Sequence, residues 1–203
     1  MNILHIDSAC LGDNSASRQL TAAIVDALRV RHWDANVAYR DLGASQLSHV
    51  TGPLLQVLRG QWNSAIPLND ELQGEVMLTE LLLAEFMVAD VIVLGAPVLT
   101  LSVPSTLKAW LDRIVLEQRT YTVAPNGRTT GLAKGKRVIV ASTRGGPTLA
   151  GMNEYHTGYL KAVFAMVGIT DVHVLEADNL AQGSAAREQA IEAAMQQAAL
   201  LAA

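Results

Sequence analysis

The chain has 203 residues, 50% of them hydrophobic and 17% charged, with a formal net charge of -4; this balance excludes intrinsic disorder and leaves room for one domain over residues 1–203. The weakly acidic charge argues against a nucleic-acid partner held by a general basic field. The single cysteine, Cys10, excludes an intrachain disulfide, the start carries no basic leader with a long apolar core, and no apolar run is long enough for a bilayer, so the expectation is a cytoplasmic chain without a membrane partner.

Asn2 to Asp7 (NILHID) predicts a short apolar strand. The small, polar run from Ser8 to Ser17 follows, and Leu20, Ile24, Val25 and Leu28 then recur at helical spacing to about Arg31. A strand, a loop of small residues and a helix start together make a phosphate cradle, because hydroxyls, unpaired N–H groups and the helix dipole all favour an anion. Neither the glycine-rich dinucleotide fingerprint nor the Walker pattern is present, since Gly131 to Lys136 follows no apolar strand. Ala35 to Asp41 predicts a second strand, Leu54 to Leu58 a short helix, Gln61 to Leu68 a loop, and Asn69 to Ala89 a long helix. That helix is capped by Asn69 or Asp70 and turns Leu72, Val76, Leu81, Leu82 and Phe86 inward.

The next stretch organises the rest. Val91 to Leu94 is a continuous apolar run, as in a strand buried on both faces, and it ends at Gly95-Ala96-Pro97. After an irregular loop a helix opens near Pro104, with Ser102 placed to cap it and Leu107, Trp110, Leu111 and Ile114 on one face. Glu117 to Lys136 reads as a small hairpin or ordered excursion, with Thr120 to Val123 extended and Asn126-Gly127 at a turn. Lys136 to Ser142 predicts another buried strand, followed by Thr143-Arg144-Gly145-Gly146. A helix over Tyr155 to Val167, a strand over Ile169 to Glu176 and a closing helix from Ala185 complete the chain.

Strands that alternate with helices imply a doubly wound α/β fold, helices on both faces of a parallel sheet. Five strands with a phosphate loop after the first suit the flavodoxin-like order 2-1-3-4-5, whose ligands bind outside the carboxyl ends of the strands where the order reverses. Ser8 to Ser17, Pro97 to Leu101 and Thr143 to Gly146 would then meet at one crevice.

Several of these residues carry two readings. Ser15-Ala16-Ser17 is an N-cap or a phosphate loop. Arg18 adds charge to that loop or is a solvated helix residue. Gly145-Gly146 is a plain turn or a run of N–H donors facing a flat heterocycle such as a flavin, where they would stabilise the negative charge that reduction places on it. Arg144 assists there or pairs with an acidic neighbour. Cys10 is a filler residue or a thiol nucleophile. His156 starts a helix or reaches the site. Trp110 is core or marks an apolar face for a second copy, and Tyr121 covers the ligand of such a copy or staples its own hairpin. His5 and His173 read as core or edge strand residues and His32 and His49 as surface residues, so no metal-ligand spacing exists.

Together, Asp7-Ser8, Ser15-Ala16-Ser17, Tyr39-Arg40-Asp41-Leu42, Ala96-Pro97, Leu107-Lys108 with Asp112, Arg144-Gly145-Gly146 and Gly168-Ile169-Thr170-Asp171-Val172 stand in the order and spacing of a known family. Over nearly its full length the chain resembles the FMN-dependent NADH-azoreductases, flavodoxin-like NAD(P)H:quinone reductases. The resemblance implies bound FMN, with its phosphate against Ser8 or Ala9 and Ser15, Ala16 and Ser17. The ring would lie along Pro97, Val98, Leu99, Thr100 and Leu101 and against Thr143, Arg144, Gly145 and Gly146. It further implies a homodimer with each site at the interface. NADH or NADPH would be the co-substrate, quinones or azo compounds the acceptors, and transfer two-electron and ping-pong. No side chain is expected to act as a dedicated acid or base, Tyr121 and His156 being the nearest candidates, and no metal is expected. Two departures stand out: Val98-Leu99-Thr100-Leu101 replaces the Met-Tyr-Asn-Phe of many relatives, and Ala9 replaces a small hydroxyl residue. The rival readings are a flavin-binding electron carrier and a hydrolase using Ser15 or Cys10.

Overall fold

The computed structural model describes residues 1–61, 69–148, 151 and 155–201. Five parallel strands, β1 (Asn2–Asp7), β2 (Asn36–Asp41), β3 (Val91–Pro97), β6 (Arg137–Thr143) and β7 (Asp171–Ala177), form one sheet in the order β2-β1-β3-β6-β7, which is the expected 2-1-3-4-5. A small antiparallel pair, β4 (Tyr121–Val123) and β5 (Thr129–Gly131), lies between β3 and β6 in the chain. The helices are α1 (Ala16–Arg31), α2 (Gly52–Leu58), α3 (Asp70–Val88), α4 (Ser105–Ile114), α5 (Thr157–Met166) and α6 (Ser184–Leu201). The loop expected over Gln61 to Leu68 lies, from Trp62 onward, outside the described residues.

Side chains alternate across a strand, so each central strand feeds two cores. Val91 and Val93 of β3 join Ile3, Ile139 and Leu175 against Leu20, Ile24 and Leu28 of α1 and Ala194 and Ala198 of α6. Ile92 and Leu94 join Leu4, Ile6, Val138 and Val140 against Phe86 of α3, Trp110 and Ile114 of α4, and Phe164 of α5. Trp110 is core rather than a docking face: it is fully buried, its ring edge-on to Phe86 at a centroid distance of 6.0 Å.

Two expectations need correction, and two further details lay beyond the local pattern. Leu81 is exposed while Leu83 is buried, because the inner stripe of α3 runs through Leu72, Thr79, Leu82, Leu83 and Phe86. Ser102 does not cap α4: Pro104 holds the N-cap position, and the Ser102 hydroxyl donates to the Tyr155 carbonyl at 3.1 Å. Arg113, on a helix read for its apolar face, is fully buried. Its guanidinium donates to Thr79 Oγ1 at 2.8 Å and the Ser48 carbonyl at 3.0 Å and pairs with Glu75, tying α4 to α3. Asn69, not Asp70, caps α3, accepting from the Leu72 N–H at 2.9 Å.

Strand register aligns the functional edge of the sheet. Asp7 pairs with Gly95, Pro97 with Thr143, and Thr143 with Ala177. The carboxyl ends of β1, β3, β6 and β7 therefore share one edge, and the chain order reverses between β1 and β3.

Candidate functional site

At that edge lies a cleft of about 420 Å³, within the range of small-molecule sites. Ala9 and Ser15-Ala16 from the first loop, Pro97, Val98 and Leu99 from the end of β3, and Thr143, Arg144 and Gly145 from the end of β6 all line it. The three segments expected to converge do so. Cys10, Leu11, Asn14, Pro104, Leu180, Ala181 and Arg187 complete the wall. Among the predicted residues, Ser8, Ser17, Thr100, Leu101 and Gly146 are not part of this lining.

The first loop is braced from behind. Ser8 is fully buried and its hydroxyl donates to the Gly95 carbonyl at 2.7 Å, so it clamps β1 to β3. Thr106 Oγ1 donates to the Ser8 carbonyl at 3.0 Å and joins the loop to α4. Asp7, also buried, accepts from Thr21 Oγ1 at 2.8 Å and Tyr39 Oη at 3.0 Å. Burial and the Asp7 charge push the Tyr39 phenol up to about 12. Arg18 donates to Asp41 at 2.7 Å and Tyr39 Oη at 2.6 Å, which raises its own pKa and lowers that of Asp41. Arg18 is thus neither solvated nor part of the cleft wall; it locks β2 to the first turn of α1.

That locked turn is open toward the cleft. Ser15 is the N-cap of α1, but its side chain makes no capping bond and lies 3.0 Å from the Ser17 hydroxyl. The first N–H groups of a helix need an acceptor from outside it, and the dipole there favours a negative one. These donors fit the phosphate of FMN. They do not fit nucleophilic hydrolysis, for which Ser15 needs a neighbouring base; the side chain beside it is another hydroxyl.

The facing walls suit a flat, largely apolar ring. Val98 N–H donates to the Thr143 carbonyl at 2.8 Å, one bond beyond Pro97, and holds β3 against β6 up to the lip. Leu99 and Ser102 then exchange backbone bonds at 2.9 and 3.1 Å across a two-residue turn. Its central residues, Thr100 (φ 48°) and Leu101 (φ 66°), are left-handed, a conformation that favours glycine and asparagine. Opposite, the carbonyls of Arg144, Gly145 and Gly146 accept from the N–H groups of Leu180, Ala181 and Asn179. The glycine carbonyls thus face the segment after β7, while among the described residues no acceptor engages the Gly145 and Gly146 N–H groups. Arg144 pairs with Asp178 at 3.0 Å while still lining the cleft.

The weaker candidates lie elsewhere. His156 is the N-cap residue of α5 and 1% exposed, with Nδ1 3.4 Å from Ser142 Oγ. Burial, then the Arg144 charge, pushes its pKa down to about 4. It is a neutral core group behind the wall. Tyr121 pairs with Gly131 in the hairpin and does not line this chain's cleft. Cys10 is exposed at the mouth. No cluster of three metal-ligating side chains occurs among the described residues, and no helix there is long and apolar enough to cross a membrane.

Sequence reasoning missed the segment after β7. Its position at the carboxyl end of a strand was a usable signal for Leu180 and Ala181; nothing in the local pattern marked Arg187, inside an Ala-rich helix.

A family model described as a flavodoxin-like fold matches residues 1–201. The chain is 46% identical over 200 residues to an FMN-dependent NADH:quinone oxidoreductase of Ralstonia nicotianae, covering 96% of this chain and 93% of that one. It is 45% identical over 201 residues to a protein of the same name from Azospirillum brasilense, covering 97% and 95%. Among solved structures it is similar to an FMN-dependent NADH-azoreductase from Bacillus anthracis in complex with FMN, with a TM-score of 0.84 over 100% of both chains at 22% identity. At that identity the likeness concerns the fold.

Proposed function

Taking as premise that the chain belongs to the family with this flavodoxin-like fold, we propose that it is an FMN-dependent NADH:quinone oxidoreductase, the activity named for relatives 43–46% identical to it. It works as one FMN-binding domain in the cytoplasm. When bound, FMN would supply the redox chemistry, two-electron transfer from NADH or NADPH to a quinone or an azo compound. The observation that carries this reading is the cleft at the reversal of strand order, with an uncapped helix start at one end and, at the other, an aliphatic wall beside the Gly145 backbone.

The protein's part is to bind and orient. Ser15 and Ala16 hold the phosphate, with the buried Ser17 hydroxyl 3.0 Å behind that of Ser15. Ser8 and Ala9 set the loop's shape, Ser8 through its bond to Gly95. Pro97, Val98 and Leu99 form the ring's floor, and the Gly145 N–H supplies a donor at its polar edge, with Thr143 and Arg144 beside it. Thr100 and Leu101 form the turn that sets the floor's height. Protons for the reduced acceptor come from solvent rather than from a dedicated side chain. One pocket serves donor and acceptor in turn, which gives ping-pong kinetics. The aliphatic Val98-Leu99 wall favours flat apolar acceptors.

The working unit is a homodimer whose second copy completes each cleft. Leu99, Leu101 and Tyr155 support this: they are 57%, 47% and 60% exposed, and the Ser102–Tyr155 bond gathers them beside the mouth. Tyr121 of the second copy is the candidate cover.

The test is spectroscopic. The purified protein, supplied with FMN, should show bound-flavin absorbance that bleaches anaerobically on adding NADH and returns on adding a quinone. A protein that never takes up FMN sinks the proposal; one that takes it up but is not bleached by NADH or NADPH is an electron carrier instead.

A further inference from the structure

We propose that Arg187 is the residue by which the cleft selects a phosphorylated flavin over an unphosphorylated one; this rests on the FMN reading above. A phosphate monoester carries close to two negative charges near neutral pH, whereas a helix start offers about half a positive charge. Serine hydroxyls and N–H groups leave that excess uncompensated, so a cation belongs beside them. Two arginines near the loop are already engaged. Arg18 donates to Asp41 at 2.7 Å and lies outside the cleft wall. Arg144 is in the wall but ion-paired to Asp178 at 3.0 Å.

Arg187 is different. It reaches the cleft from α6, lies in the wall with Asn14, Ser15 and Ala16, and donates from Nη2 to the Asn14 carbonyl at 3.0 Å. That bond fixes the guanidinium against the loop through one N–H and leaves others of its five donors. Among the described side chains no carboxylate forms an ion pair with it, and its one side-chain bond is the one to Asn14. A half-buried arginine tied to a backbone carbonyl, with no acidic partner among the described side chains and in the same cleft wall as an uncapped helix start, is arranged for an anion. It also offsets the hydroxyl missing at Ala9, since a charge-assisted bond is roughly twice as strong as a neutral one.

The experiment titrates flavin-free protein with FMN and with riboflavin, following flavin fluorescence, for wild type, Arg187→Gln and Arg187→Lys. Glutamine removes the charge, and the riboflavin titration reads any loosening of the loop that comes with losing the bond to the Asn14 carbonyl. Arg187→Gln should weaken FMN binding roughly ten- to a hundredfold, the range for a hydrogen bond to a charged group, and leave riboflavin within about twofold. Arg187→Lys should keep most of the preference for FMN, and the wild-type preference should shrink with added salt. Thermal melting run alongside checks folding. Wild-type FMN affinity in Arg187→Gln overturns the inference alone, as does an equal loss of both flavins, or a lysine variant as poor as the glutamine one. A wild type that binds neither flavin overturns it together with the function proposed above.

Discussion

Replacing Gly43 by alanine should damage the first loop without touching a ligand. A Cβ at Gly43 would sit 2.4 Å from the Ala9 carbonyl oxygen, 3.2 Å from its carbon and 3.3 Å from Asp41 Oδ1, whereas ordinary contact begins near 3.4 Å. One side must move by about 1 Å, and neither is compliant. Ala9 is 4% exposed, the preceding Ser8 is held at both hydroxyl and carbonyl, and Leu42 N–H is bonded to the Asp7 carbonyl at 2.8 Å. Overpacking of this kind costs about 1–3 kcal/mol, which in a chain of this size lowers Tm by roughly 2–12 °C. Ala9 also lines the cleft, so the phosphate donors shift with it and the Kd for FMN should rise roughly tenfold, the worth of one or two hydrogen bonds. Calorimetry and fluorescence titration read both effects. Gly74→Ala is the control: nothing lies within 4 Å of a Cβ there, inside α3, and alanine should be neutral or better by up to about 1 kcal/mol. A Gly43→Ala protein with wild-type Tm and FMN affinity would show that the tight packing beneath the loop has no consequence.

Ser15→Ala should weaken FMN binding about two- to tenfold, one neutral hydrogen bond, and leave riboflavin unchanged; an equal effect on both flavins in the same titration would place Ser15 away from the phosphate. Thr100→Gly should raise Tm by roughly 1–4 °C, because a left-handed non-glycine residue costs about 1–2 kcal/mol and glycine's extra chain entropy takes back about half of it; a lower Tm would refute the strain. His156 gives a signed pH effect. Above pH 6.5 the ring is neutral whether the chain is folded or not; between about 6.5 and about 4 the unfolded chain takes up a proton that the buried ring does not. Stability should therefore fall as pH drops through that window, and the fall should be shallower in His156→Gln; identical slopes in pH-dependent melting would count against a buried neutral ring.

The strand order and both layers of helices could be read from the chain because they follow from local periodicity. Val91 to Leu94 announces a strand buried on both faces whatever lies around it, and Leu20, Ile24 and Leu28 announce a helix face. Once the order was known, so was the edge where the three loops would meet, since parallel strands joined by crossover helices end on one side. Ser15, Pro97 and Gly145 needed no more than that.

Position and partner were not local properties. The sequence could not say that Arg18 would turn to Asp41 and Arg187 to the cleft, because a long cationic side chain is placed by whichever carboxylate or carbonyl the fold brings within reach, and Asn14 is 173 residues from Arg187. Nor could it show that Ser8 would clamp Gly95 while Ser15 stayed uncapped, that Arg113 would be buried among Glu75, Thr79 and Ser48, or that Leu83 rather than Leu81 would face inward. Periodicity determines which element forms and the centre of the face it buries; the margin of that face and the pairing of polar groups depend on distances that exist only after the elements have packed.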